Sequence, residues 1–166
     1  MTQKQKFEVI KVIGDIEIRR YLPYVAADVL VEADYEKAGN AGFRPLANYI
    51  FSNNISMTAP VIVEEKEKAW QVSFVMPDGS KMENLPKPTG NVQLRAKNEE
   101  VCAVIRFSGI TNKNRIAKFE AKLKKYLADN QIESLGNIRV ARFDPPWKPG
   151  FMRHNEIVQP IIYTNK

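Results

Sequence analysis

The chain is short of the residues that most catalytic centres use. Its 166 residues include one histidine, His154, and one cysteine, Cys102, far apart in sequence. Zinc centres draw several His and Cys ligands from recurring spacings, and those spacings are missing. A single cysteine excludes an intramolecular disulfide and is compatible with a reducing compartment. No glycine-rich phosphate loop and no G-x-S-x-G elbow occurs. The N-terminal stretch MTQKQKFEVIKVIGDIEIRR has no apolar run long enough for a signal peptide or a membrane span, so the cytoplasm is the simplest expectation. The net charge of +6 allows an anionic partner. The lysines are spread over one helix and the loops, with no dense basic run interleaved with aromatics. A solvated surface therefore stands ahead of a nucleic-acid interface.

What is present is ordinary for a globular chain: 44% apolar and 27% charged residues. A chain of this length can bury a substantial core without disulfides or metals. Phe7 to Ile13 and Ile16 to Tyr21 flank Gly14-Asp15 and read as a hairpin, with Gly14 suited to the first position of a two-residue loop. Tyr24 to Glu32 gives a third strand. The period then changes to helical between Asp34 and Phe51, where Phe43, Leu46, Ala47 and Ile50 share a face. Pro45 fits best in the first turn of that helix, the alternative being a longer helix kinked there.

The stretch NNISMTAPVIVEE alternates apolar residues from Ile55 to Val63, and Pro60 interrupts it. Proline cannot donate to a ladder, so Pro60 is expected at an edge or a bulge. Trp70 to Met76 follows as a strand. LPKPTG, Leu85 to Gly90, joins two halves of about 5–86 and 90–163. The second half continues with strands at Val92 to Ala96 and Val101 to Phe107. In the latter, Val101, Ala103, Ile105 and Phe107 point inward. An amphipathic helix over about 112–130 carries Ile116, Phe119, Leu123 and Leu127 on one face, with Thr111 or Asn112 as its cap. Strands at Ile138 to Phe143 and Glu156 to Ile162 close the chain. Each half reads as strands, one helix, then strands. The expectation is one α+β domain over 1–166, built from duplicated strand–helix–strand units.

The chemistry-bearing residues read as structural at first pass. Cys102 alternates with apolar neighbours on a strand and reads as a buried thiol. His154, in FMRHNEI, reads as a loop histidine with hydrogen-bond partners, and Glu64-Glu65 as a solvated turn. No acid–base pair supports a defined enzyme mechanism. Two features stand out. Aromatic and sulfur-bearing residues gather around the first helix and the strand after it: Phe43, Tyr49, Phe51, Met57 and Met76. Such residues make a core, and they can also line a site for a flat apolar ligand. The segment RFDPPWKPGFMRHNE, Arg142 to Glu156, is too long for a simple turn. It either rims a site or packs on a sheet edge.

NYIFSNNISMTAPV, WQVSFVMP, VIRFSG and ARFDPPWKPGFMRHNEI resemble, in order and spacing, the successive motifs of the SOUL/haem-binding protein family. The resemblance spans nearly the whole chain. It implies a distorted antiparallel β-barrel flanked by two helices, akin to the effector-binding domains of some transcription regulators. It also implies a non-enzymatic binding protein for haem or a related tetrapyrrole, held against the first helix in a shallow apolar groove. Phe43, Leu46, Ala47, Ile50 and Lys148 match the family's positions, Arg44 is a substitute for its basic helix positions, and the bend at Pro60 is expected to bring Met57 to the groove wall; these seven are the expected ligand-binding set, with Arg44 and Lys148 facing the propionates. Asn40 and Asn48 stand where some relatives have Arg and Lys. The histidine found near the first helix in some members has no counterpart, so axial ligation by histidine is not expected. The alternatives are an effector-type module for another hydrophobic small molecule, or a small hydrolase or dechelatase on the same groove.

Overall fold

The computed structural model describes residues 3–144 and 148–164. Its elements are β1 (Gln3–Lys4), β2 (Phe7–Ile13), β3 (Ile16–Tyr21), β4 (Tyr24–Val31), α1 (Tyr35–Ser52), β5 (Thr58–Ala59), β6 (Val61–Lys66), β7 (Ala69–Val75), β8 (Gln93–Lys97), β9 (Glu100–Ser108), α2 (Lys113–Asp129), β10 (Arg139–Arg142) and β11 (His154–Pro160). Nine strands form one antiparallel sheet in the order β2-β3-β9-β11-β10-β6-β7-β4-β8, curled into a half-barrel that carries the two helices. This is the α+β architecture expected from the sequence. The remaining pair, β1 and β5, is parallel and stands apart from it. No helix among the described residues is long and apolar enough to cross a membrane.

Period-two alternation decides which face the helices cover, because successive strand side chains point to opposite faces. Ile18 of β3, Ala103, Ile105 and Phe107 of β9, Val140 of β10 and Ile157 of β11 form one cluster with Ile116, Leu123 and Leu127 of α2. Val25, Ala27 and Val29 of β4 and Val72 and Phe74 of β7 form a second with Leu46, Tyr49 and Ile50 of α1. The inward set expected for β9 and the apolar stripe expected for α2 are both found there. Phe119 stacks on Phe107 with ring centroids 4.5 Å apart. Asn112 caps α2, its Oδ1 accepting from the N–H of Arg115 at 2.9 Å.

Pro45 lies inside α1, so the longer helix forms rather than one starting near Pro45. The carbonyl that loses its partner belongs to Ala41, which is exposed and open to water. Tertiary contact outweighs the local preference, since Tyr35, Ala38, Gly39 and Gly42 are buried before the proline is reached. Pro60 stands between β5 and β6. Before it the chain pairs with β1; after it, with β10 and β7. A residue without an N–H thus sits where the backbone changes partners. Met57, just before this junction, packs half-buried against the α1 cluster.

Gly42 sets how closely α1 approaches the sheet. A Cβ there would lie 2.4 Å from Val72 Cγ2 and 2.6 Å from Val72 Cβ. Replacing glycine by alanine inside a helix ordinarily gains about 1 kcal/mol. Here overpacking against a β-branched core residue opposes that gain, at about 1–3 kcal/mol. Gly42→Ala is expected to lower the urea unfolding midpoint. An unchanged or higher midpoint would show that α1 can lift from β7 at no cost.

Candidate functional site

The face of the sheet turned away from the helices carries a different set of side chains. On β3 these are Glu17, Arg19 and Tyr21; on β9, Glu100, Cys102, Val104 and Arg106; on β10, Arg139 and Ala141; on β11, Glu156 and Val158. The curl of the sheet turns this face inward, around a cavity of about 370 Å³. Phe7, Tyr21 and Phe143 give it aromatic walls, and Pro60, Ile62, Ala141 and Val158 an apolar lining. Five cationic side chains, Lys4, Arg19, Arg106, Arg139 and Lys148, line it together with three carboxylates, Glu100, Asp144 and Glu156.

The floor is a buried ion pair. Arg19 and Glu156 are 2% and 3% exposed. Arg19 donates from Nη1 to Oε1 at 2.7 Å and from Nη2 to Oε2 at 2.8 Å, a two-point geometry that suits a guanidinium. The pair spans β9, which lies between β3 and β11 in the sheet. Arg19 also donates from Nε to Glu17 at 2.7 Å and from Nη1 to the Tyr21 hydroxyl at 3.1 Å. Its guanidinium lies 4.0 Å from the centroid of the Phe7 ring, a cation–π contact.

His154, the first residue of β11, completes the network. Its Nε2 lies 3.2 Å from Glu156 Oε2, and its Nδ1 lies 3.3 Å from Arg106 Nη2. A guanidinium only donates, so Nδ1 accepts, Nε2 carries the proton, and the ring donates to Glu156. The histidine does have the hydrogen-bond partners expected for it, but on a strand rather than a loop. Cys102 is fully buried on the same face, and burial pushes its thiol up to about 12. It is unreactive at neutral pH, in line with the structural reading.

The residues singled out in the sequence divide between two places. Lys148 lines the cavity, with Nζ 2.8 Å from Asp144 Oδ1. The other six do not line it. Leu46 and Ile50 are 0% and 1% exposed, and Ala47 is also buried. They hold α1 to the sheet and present almost no surface. Phe43 is partly exposed, its ring 5.3 Å from that of Phe74. Arg44 is exposed and Met57 half-buried. From the long segment after β10, Asp144, Lys148 and His154 rim the cavity, while Pro145, Pro146 and Trp147 lie outside the described residues. The reading from sequence missed Arg19, Glu100, Arg106, Arg139 and Glu156. Part of the signal was available: Arg106 and Arg139 stand between apolar residues, Arg19, Glu100 and Glu156 each have one beside them, and charges recurring on the second face of several strands mark an enclosed polar surface.

The floor predicts a pH dependence. Burial raises the pKa of Glu156, but the bonds from His154 and Arg19 outweigh it and hold the carboxyl below the usual range. A carboxyl depressed in the folded state contributes stability that is full above its unfolded pKa, about 4.3, and is lost as pH falls through the folded value. Glu156→Ala leaves buried Arg19 with only the Glu17 carboxylate to offset its charge and is expected to cost about 3–5 kcal/mol at neutral pH. The cost should shrink as pH drops below about 4. Urea titrations of parent and variant across that range check both statements, and a cost independent of pH would refute the linkage.

The C-terminal domain of EcmrR has a similar structure, with a TM-score of 0.73, 14% identity, and coverage of 90% of this chain and 98% of that one. A hydrolase from Listeria innocua gives a TM-score of 0.63 at 10% identity, covering 92% and 94% of the two chains. SAV2435 bound to tetraphenylphosphonium gives 0.55 at 8% identity, covering 89% and 93%. At these identities the likeness is one of fold. No curated protein matches the sequence. The family model described as SOUL heme-binding protein matches residues 2–160, nearly the whole length, and this chain therefore belongs to the SOUL family.

Proposed function

We propose that this protein binds haem or a related tetrapyrrole without catalysing a reaction on it, and that the ring enters the concave cavity rather than lying on α1. The match to the SOUL family over residues 2–160 carries the ligand class. The cavity supports the placement. Its volume of about 370 Å³ falls within the range of ligand sites, and it joins apolar and aromatic walls to a few convergent charges. On α1, by contrast, Leu46, Ala47 and Ile50 are buried against the sheet, so a ligand there would meet mainly Phe43, Arg44 and Met57.

The cavity residues fit a flat ring carrying carboxylates. Phe7, Tyr21 and Phe143 offer faces for stacking, and Lys4, Arg106 and Lys148 offer counter-charges for propionates. Bound haem would supply its own iron chemistry; the chain's residues would bind and orient the ring. Both ring nitrogens of His154 already have partners, so this histidine is a poor axial ligand. A second reading, an effector-type module for another hydrophobic molecule, draws support from the neighbour SAV2435, which was solved with tetraphenylphosphonium.

A haem titration followed in the Soret band tests the proposal. The parent should give a saturable shift. Arg106→Glu should weaken binding several-fold, and Lys148→Ala by about 1 kcal/mol, since an exposed ion pair contributes little. His154→Ala should leave affinity nearly unchanged. Arg44→Glu and Phe51→Asp, on exposed positions of α1, should have no effect. Loss of binding in the α1 pair alone would return the ring to the helix. Loss in His154→Ala alone would establish histidine ligation, and no saturable shift in the parent would favour the effector-type reading.

A further inference from the structure

The cavity's charges are not all engaged, and the imbalance has one sign. Each of its carboxylates has a cationic partner within the fold: Glu156 has Arg19, Glu100 has Arg139, and Asp144 has Lys148. Asp144 also accepts from the backbone N–H of His154 at 2.5 Å. Two of the cations have no carboxylate partner among the described residues. Arg106 donates to His154 Nδ1, and Lys4 Nζ sits 6.0 Å from the centroid of Phe143. These two are not scattered. Lys4 lies over Phe143, the Phe143 and His154 rings meet edge-on at 4.7 Å, and His154 bonds Arg106. The four side chains form one continuous wall, with an aromatic pair between two uncompensated cations.

We propose that the cavity selects an organic anion, a flat apolar body bearing a carboxylate or sulfonate, and rejects lipophilic cations. The anion sits against Lys4 and Arg106 while the apolar body lies on the Phe143 side of the wall. Cation rejection has a separate cause. Glu156 is the most deeply placed carboxylate, but Arg19 holds both of its oxygens and His154 adds a third bond. A cationic ligand would find no free carboxylate and would add like charge to Lys4 and Arg106. The inference rests on the cavity being a ligand site, as proposed above, but does not require the ligand to be a tetrapyrrole.

Two apolar probes of opposite charge test it: anilinonaphthalene sulfonate, followed by fluorescence, and tetraphenylphosphonium, followed by calorimetry. The sulfonate should bind the folded parent saturably and the phosphonium should not. Arg106→Gln and Lys4→Gln should each weaken the sulfonate by about fivefold, the effect of one partly exposed ion pair. Arg19→Met, which frees Glu156, should bring phosphonium binding that the parent lacks; should that variant fail to fold, the Arg106 and Lys4 variants decide. Phosphonium binding as tight as the sulfonate overturns the proposal. So does failure of both probes to bind, or a sulfonate affinity unmoved by both substitutions. Haem serves as the cross-check. If the sulfonate behaves as expected and haem does not bind, the charge selection stands and the tetrapyrrole reading falls. If haem binds and saturating sulfonate fails to compete, the tetrapyrrole reading stands and this inference falls.

Discussion

A β-sheet has two faces, and in this protein both helices lie on the same one. Everything else follows from that constraint. The covered face can be filled with Val, Ile, Leu and Phe in the ordinary way, and the two apolar clusters under α1 and α2 do so. Among the described residues, the opposite face has no second layer of helices to bury it. It curls on itself instead, and enclosed surface of that kind must either be apolar or satisfy its polar groups internally. This chain does some of each. Tyr21, Cys102, Val104, Ala141 and Val158 form a small apolar cluster there, and Arg19 with Glu156 supplies a neutralised pair beside it.

Such a pair gives little net stability compared with apolar residues of the same volume, while leaving either partner alone would be costly. Its value here is positional. Two bonds from a planar guanidinium fix the spacing of β3 and β11 across β9, and His154 and Tyr21 are oriented from the same two charges. The cavity wall inherits that order. Another buried charge lies farther along the sheet. Asp28 of β4, also on the uncovered face, has Arg95 Nε 3.1 Å away, and burial pushes its pKa up.

Most of the architecture was legible in the sequence because its signals are local. The Gly14-Asp15 hairpin, the α2 stripe from Ile116 to Leu127, and the alternation of Val101, Ala103, Ile105 and Phe107 each specify an element within a dozen residues. The Pro60 junction was legible too, since a missing N–H constrains pairing wherever it falls. Pro45 was harder. A rule about local hydrogen bonding favoured a short helix, and packing against β4 and β7, which that rule does not register, overrode it. The candidate site was the least legible part. Leu46 and Ile50 look the same in sequence whether they meet a ligand or a sheet. Arg19 and Glu156 are separated by 137 positions, and nothing local says that they meet. Lys148 was singled out through the resemblance of its loop to a family motif, and nothing in that motif foretold its place on the cavity wall.

The half-barrel leaves β2 and β8 at its two margins. Each offers a row of unpaired backbone groups, the kind of margin along which separate copies of a chain can stack into fibrils. β2 is largely exposed, with Val9 and Val12 facing solvent. Its register breaks between Val9 and Lys11, and Glu8 and Lys11 place both signs of charge along it. β8 is only five residues long and carries Arg95 and Lys97. An irregular, charged margin on one side and a short, basic one on the other hinder lateral growth, so an open sheet can persist in a crowded solution without a partner to seal it.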